Sequence, residues 1–381
     1  MWPYRTELGN RATFSGKTYF QSGRKWWEWH QLPKDEGAND WSIPFAFVST
    51  HCQFALDRGE NSFKQTAPII KLRSRTTEID HLNILGILNS STICFWLKQR
   101  CYPKGGDPVG GTGARVSVHP WSDRYEFTSG NVETTPLPPE FPTALARSID
   151  KLAKKLATTI SSIQDPSAVP TPNSLREARD NWETTRARMI SLQEELDWQV
   201  YFLYGLHSED LCAPELEVPD LAPGERAFEI VLARQVAEGE ASDEWFRRHN
   251  SAATSKLPDH WSETYRTMVQ KRIDVIETSR AIGMVERPEY KRRWATEGWD
   301  ALQEKALRSW LLDRIENREL WFQDGQPTIL TRAQLTSALS LDEDFVSVAE
   351  LYAPRKELAT VVADLLANEH VPFLAALRHK P

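Results

Sequence analysis

The stretch richest in potential chemistry is Arg24-Lys25-Trp26-Trp27-Glu28-Trp29-His30-Gln31. Three indoles supply stacking surfaces, two cations can meet phosphates, and an imidazole and an amide can hydrogen-bond base edges. The competing reading is a strand whose indoles are alternately buried, since large aromatics are core material. Further cations at Arg58, Lys64, Lys71, Arg73, Arg75, Lys98 and Lys104 each read singly as ordinary surface, and together they could line one face. A second candidate is the glycine-rich run from Lys104 to Gly113. It lacks the Lys-Ser/Thr pair of a phosphate loop and no buried strand feeds it, so it reads as a mobile contact loop.

Other chemistries find little support. There is no GxSxG elbow, no HExxH and no GxGxxG after a strand. Cys52, Cys94, Cys101 and Cys212 form neither a CxxC pair nor a zinc-spaced cluster, and read as half-buried free thiols. The carboxylates of Glu194-Glu195 and Asp342-Glu343-Asp344 read as solvated charge on helices or at a helix end.

The elements that must position these residues change character along the chain. Residues 1–76 read as short strands and loops, with alternation at Phe14–Phe20 and β-type runs at Ile43–Ser49, Gln53–Leu56 and Ala67–Leu72. Asp80–Cys101 reads as two helices, the first capped by Asp80 and the second by Asn89-Ser90-Ser91. A β-like Arg124–Phe127 and a proline-rich connector over Pro136–Pro142 follow. Leu145, Ile149, Leu152, Leu156, Ile160 and Ile163 then step by threes and fours. Beyond Pro166–Pro172, Leu175, Ala178, Trp182, Thr185, Met189, Leu192 and Leu196 do the same, so the pair is expected to form an antiparallel hairpin. Later helices are expected at Glu225–Glu238, Trp261–Ile282, Glu297–Ile315, Arg332–Leu339 and Lys356–Ala367, with a break at Phe322–Pro327.

The 381 residues, 40% hydrophobic and 26% charged, suit two or three soluble domains. The expected class is α+β, with a mixed α/β domain over 1–135, a connector and hairpin over 136–206, and a mainly helical acidic domain over 207–381. No apolar run reaches a membrane span and the N-terminus lacks a signal-peptide core, which points to the cytoplasm and away from a membrane. The net charge of −7 conceals a gradient: residues 1–115 hold 15 Lys/Arg against 10 Asp/Glu, and the rest 31 against 43. A basic first third is what a polyanion-facing module on a soluble scaffold gives.

Several segments in order carry a family resemblance. They are Trp26-Trp27-Glu28-Trp29-His30-Gln31, Phe47–His51, Phe54–Gly59, Ala67–Leu72, Leu85–Ser91 and Cys94–Gln99. Leu192–Trp198 with Tyr204-Gly205-Leu206, and Glu286–Trp294, continue the series. Together they resemble the target-recognition region and following helices of adenine-specific DNA methyltransferases of the BREX/phage-growth-limitation type, the PglX proteins. Such enzymes carry an N-P-P-Y/F motif and an S-adenosylmethionine pocket upstream. Neither motif occurs here, so the resemblance is to a C-terminal portion that does not itself bind the cofactor or methylate alone.

The resemblance implies a restriction-modification-type specificity role in phage defence. Its partners would be double-stranded DNA, a methyltransferase catalytic domain or chain, and other proteins of the defence complex. Trp26, Trp27, His30, Gln31 and the Lys104, Gly105, Gly106 loop would contact bases or a groove; Arg24, Lys25, Arg73 and Lys98 would contact phosphates. The tryptophans could equally hold the loop from beneath. The alternative is a protein-interaction scaffold that touches DNA only indirectly; a third reading is a remnant that folds without its catalytic partner.

Overall fold

Thr77, not Asp80, starts the first long helix. The Thr77 hydroxyl accepts from the Asp80 amide at 3.3 Å while the Asp80 carboxylate accepts from the Thr77 amide at 2.7 Å. This reciprocal capping box places Asp80 in the first turn, where it also favours the positive helix end. Ser90 caps the next helix as expected, accepting from the Ile93 amide. The Asn89 side chain between them pairs with the Phe54 backbone, donating at 3.0 Å and accepting at 3.1 Å.

The computed structural model describes residues 5–13, 15–28, 41–59, 61, 63–64, 66–73, 75–106, 119–294, 297–323 and 326–367. In chain order the elements begin α1 (Arg5–Gly9), β1 (Ile43–Pro44), β2 (Val48–Ser49) and β3 (Ile69–Ile70). Then come α2 (Glu78–Leu88), α3 (Ser91–Arg100), β4 (Tyr102–Gly105), β5 (Arg124–Glu126) and α4 (Ser129–Glu133). The long α5 (Thr143–Ile163) and α6 (Pro172–Leu203) lead to α7 (Ala227–Glu238), α8 (Glu244–Arg248), α9 (Glu263–Thr278) and α10 (Arg280–Val285). The last are α11 (Trp299–Ile315), α12 (Arg318–Trp321), β6 (Phe322–Gln323), β7 (Gln326–Pro327), α13 (Arg332–Leu339), α14 (Glu343–Tyr352) and α15 (Leu358–Leu366). The fold is α+β and mostly helical, with small antiparallel sheets of order β1-β3, β2-β5-β4 and β6-β7. Among the described residues no helix is long and apolar enough to cross a membrane.

The chain divides into two compact units. The first comprises Met1–Gly37, Ile160–Ala178 and Trp299–Pro381. Its helices bury Trp310, Leu311, Ile315, Phe345, Val348 and Val362, each at most 3% exposed. The second comprises Ala38–Thr159 and Arg179–Gly298. Its core packs Ile43, Phe45, Leu82, Ile87, Ile93 and Leu97 against Leu196 and Val200 of α6. Gly86 permits this packing, because a Cβ there would lie 2.9 Å from the Ala146 Cβ on α5.

Two expectations about α6 and its neighbours need correction. Periodicity gives α6 one apolar stripe, yet the ten residues Met189–Trp198 are buried on every side. Glu194 and Glu195 are therefore not solvated; they are 2% and 1% exposed. The expected helix Trp261–Ile282 divides at Ser279, whose extended backbone ends α9 and whose side chain accepts from the Ile282 amide to cap α10. Cys52, Cys94 and Cys101 are buried free thiols, and Cys212 is half-buried.

Candidate nucleic-acid interface

In the first unit the Arg24–Glu28 segment is a turn rather than a strand. Two features hold it. The Arg11 guanidinium donates to the carbonyls of Trp26 and Glu28 at 3.1 and 2.8 Å. The buried Tyr19 ring lies beneath both Arg11 and Arg24, 4.4 and 4.6 Å from its centroid. Cation–π contacts of this kind contribute roughly 0.5–1 kcal/mol at exposed sites, enough to bias a short turn.

What the turn presents is mixed. Trp27 is 53% exposed, an unusual position for an indole, with the Lys25 ammonium 5.5 Å from its ring centroid. Trp26 is half-buried and meets Trp27 edge-on at 5.5 Å. Arg24 pairs with Glu28 at 3.0 Å. The Lys25 amide and the Arg24 guanidinium together lower the Glu28 carboxyl below its ordinary range. An exposed pair of this sort contributes little to stability, so Arg24 can exchange its carboxylate for a phosphate with little loss. His30 and Gln31 lie outside the described residues.

The remaining candidates belong to the second unit. Arg73 is exposed on the link between β3 and α2, two residues before Arg75, which takes a left-handed φ of 78°. Lys104 is exposed on β4 and pairs with Glu126; Gly105 has a φ of 92° and Gly106 is buried. β4 and β5 are antiparallel neighbours, and a single short helical turn at Pro120–Ser122 precedes β5. Residues 107–118, with the rest of the glycine-rich run, lie outside the described residues. Lys98 points inward: it is 6% exposed and donates to the Glu289 carbonyl at 2.6 Å. Its ammonium also lies 4.8 Å from the Tyr125 ring centroid, and burial lowers its pKa. It is thus placed for the core and not for a phosphate. The residue types alone carry no sign of this, since a lysine on a helix is ordinarily solvated.

Sequence reading also missed a buried charge cluster in this unit. The Lys291 ammonium lies 2.9 Å from Asp197, 2.8 Å from Glu286 and 3.7 Å from Glu194. Asp197 accepts from the Ser91 amide and hydroxyl at 2.8 and 2.6 Å, tying α6 to the start of α3. Tyr201 donates to Glu286 at 2.5 Å. Burial pushes the Glu286 carboxyl up to about 7. Burial alone would lower the Lys291 pKa, but the surrounding carboxylates outweigh it and raise the pKa above its ordinary value. On the same helix Glu195 holds the fully buried Arg272 at 2.6 Å. These groups make a structural joint, because each buried charge needs a partner. The available signal was the carboxylates Glu194, Glu195 and Asp197 set among the apolar residues Leu192, Leu196 and Trp198.

The family described as a domain of unknown function (DUF7008) matches residues 189–381, beginning where α6 becomes buried all round. Over its whole length the chain is 66% identical to the adenine-specific methyltransferase PglX of Streptomyces coelicolor. It spans 32% of that relative's length, the C-terminal part. No solved structure matches. The chain belongs to the DUF7008 family, and it corresponds to a C-terminal portion of a PglX-type protein.

Proposed function

We propose that this chain is the DNA-binding specificity portion of a phage-defence adenine-specific DNA methyltransferase. It grips duplex DNA so that a separate catalytic portion, which would hold S-adenosylmethionine, can methylate an adenine. The observation that carries this reading is the turn presenting Trp27 half in solvent beside Lys25, with Arg24 held in the same turn by Glu28. The cations meet phosphates and set register, while the indole and the turn's edge read the groove. Lys104 and Arg73 supply further exposed positive charge in the other unit.

The test is the salt dependence of duplex binding by the full chain. Replacing Arg24 and Lys25 together by Ala is expected to weaken binding to all sequences alike. It should reduce the slope of log K against log salt by roughly 1.8, about 0.9 for each phosphate no longer neutralised. An unchanged slope would remove both residues from the interface. The charge of residues 116–381, 31 Lys/Arg against 43 Asp/Glu, favours a second role for the helical part as a surface for other defence proteins.

A further inference from the structure

The three-stranded sheet β2-β5-β4 has two unlike faces. Register places Val48, Glu126 and Tyr102 in one row and Ser49, Tyr125 and Pro103 in the next. Side chains directly opposite one another share a face, and alternate rows point to opposite faces. On β2 and β5 the second row turns inward, where Ser49 is buried and Tyr125 packs on the core; Pro103, on the edge strand β4, is exposed. The first row turns outward, with Val48 45% and Tyr102 79% exposed. Arg124, two residues from Glu126 and so on the same outward face, is exposed as well.

Tyr102 is the anomaly. Of the large apolar side chains that reach solvent in this unit's sheets, it is the most exposed among the described residues, and its burial adds nothing to the core. A lysine and a bulge on a short edge strand are ordinary protection against edge-to-edge pairing. The register shift between Pro103 and Gly105 and the presence of Lys104 fit that purpose. A solvent-exposed tyrosine does not, because it adds sticky surface to the edge. Its neighbours are cationic: Arg100, Lys104 and Arg124 are exposed around it, and Glu126 is the carboxylate of the outer row. Lys104 already pairs with Glu126, but a surface pair gives up little when its lysine turns to a phosphate.

We propose that this outer sheet face is a second DNA-contact surface, with Tyr102 laid against the edge of a groove and Lys104 and Arg124 on flanking phosphates. The inference rests on the DNA-binding reading above, but uses residues in a different unit from the Trp27 turn. Duplex DNA fits this face on charge: cations outnumber the carboxylate around an aromatic ring with a hydrogen-bonding hydroxyl.

The experiment compares duplex binding by the full chain and by three variants: Tyr102→Ala, Tyr102→Phe, and the double change Lys104→Gln with Arg124→Gln. Thermal unfolding of each should match the parent, since the side chains are exposed. Tyr102→Ala is expected to weaken affinity about fivefold or more, the scale for truncating an aromatic anchor of a contact surface. Tyr102→Phe should retain most of the binding. The double variant should flatten the salt slope by roughly 1.8. If the parent binds duplex DNA and these variants bind equally well, the sheet face is not a contact surface, while the Trp27 reading stands. If the parent binds no duplex DNA, both proposals fall.

Discussion

At the scale of single residues, the deciding feature is that charge is used in two ways. Arg24 and Lys25 keep their charges at the surface beside an exposed indole. Lys98, Arg272 and Lys291 hold theirs inside, each against a named carbonyl, carboxylate or ring. Replacing Lys291 by Met is expected to leave Asp197 and Glu194 uncompensated and to cost about 3–5 kcal/mol in denaturant unfolding. Glu286 gives a pH dependence of definite sign. Its carboxyl titrates near 7 in the folded chain, above the ordinary 4.5. The stability it contributes is therefore complete below about pH 4.5 and is lost as pH rises through 7. Glu286→Gln should remove that decline from the pH profile of the melting temperature between 4.5 and 7. A profile identical to the parent's would show that Glu286 is ionised throughout.

At the scale of elements, α6 organises the second unit. Its buried half binds α3 through Asp197 and Ser91 and α9 through Glu195 and Arg272. Close approach of α2 and α5 depends on Gly86. Gly86→Ala sets two effects against each other. Helix propensity favours Ala by about 1 kcal/mol, whereas overpacking costs about 1–3 kcal/mol. A Cβ at 2.9 Å from Ala146 lets overpacking win, so the variant should be less stable in urea, and adding Ala146→Gly should restore it. Most elements were legible in sequence. The steps of three and four gave α5 and α6, Ser90 marked the start of α3, and Arg332–Leu339 was bounded to the residue. The apolar runs at Ile43–Ser49 and Ala67–Leu72 did yield strands, but of two residues each, because loops interrupt every pairing. The helix at Glu343–Tyr352 was hidden by its acidic start, which reads as a charge cluster until Asp342 is seen capping Phe345.

Less of the candidate site was legible, and the reason is physical. Residue type identified the Arg24–Trp27 cluster, since stacking surface beside cations is a chemical property of the side chains themselves. Exposure is not, and it separates Lys98 from Lys104 and Tyr102 from Tyr125. Only register and helix packing decide which of two similar residues faces water.

At the scale of the whole molecule, the chain places exposed cation–aromatic groups in both of its compact units and a net negative charge over the helical remainder. Non-specific attraction to any polyanion should therefore be modest, and binding should depend on local patches that salt screens steeply. Raising salt from about 50 to about 200 mM is expected to abolish binding to random duplexes before it abolishes binding to a preferred one. The most direct measurement is selection of bound duplexes from a randomised DNA pool by the full chain at moderate salt. A DNA-specificity portion should enrich one short motif containing adenine, and the Trp27→Ala variant should lose that enrichment while remaining folded. Recovery of no motif, with a catalytic portion of the same family absent or present, would contradict DNA recognition by this chain and leave its helical surface as a scaffold for other proteins.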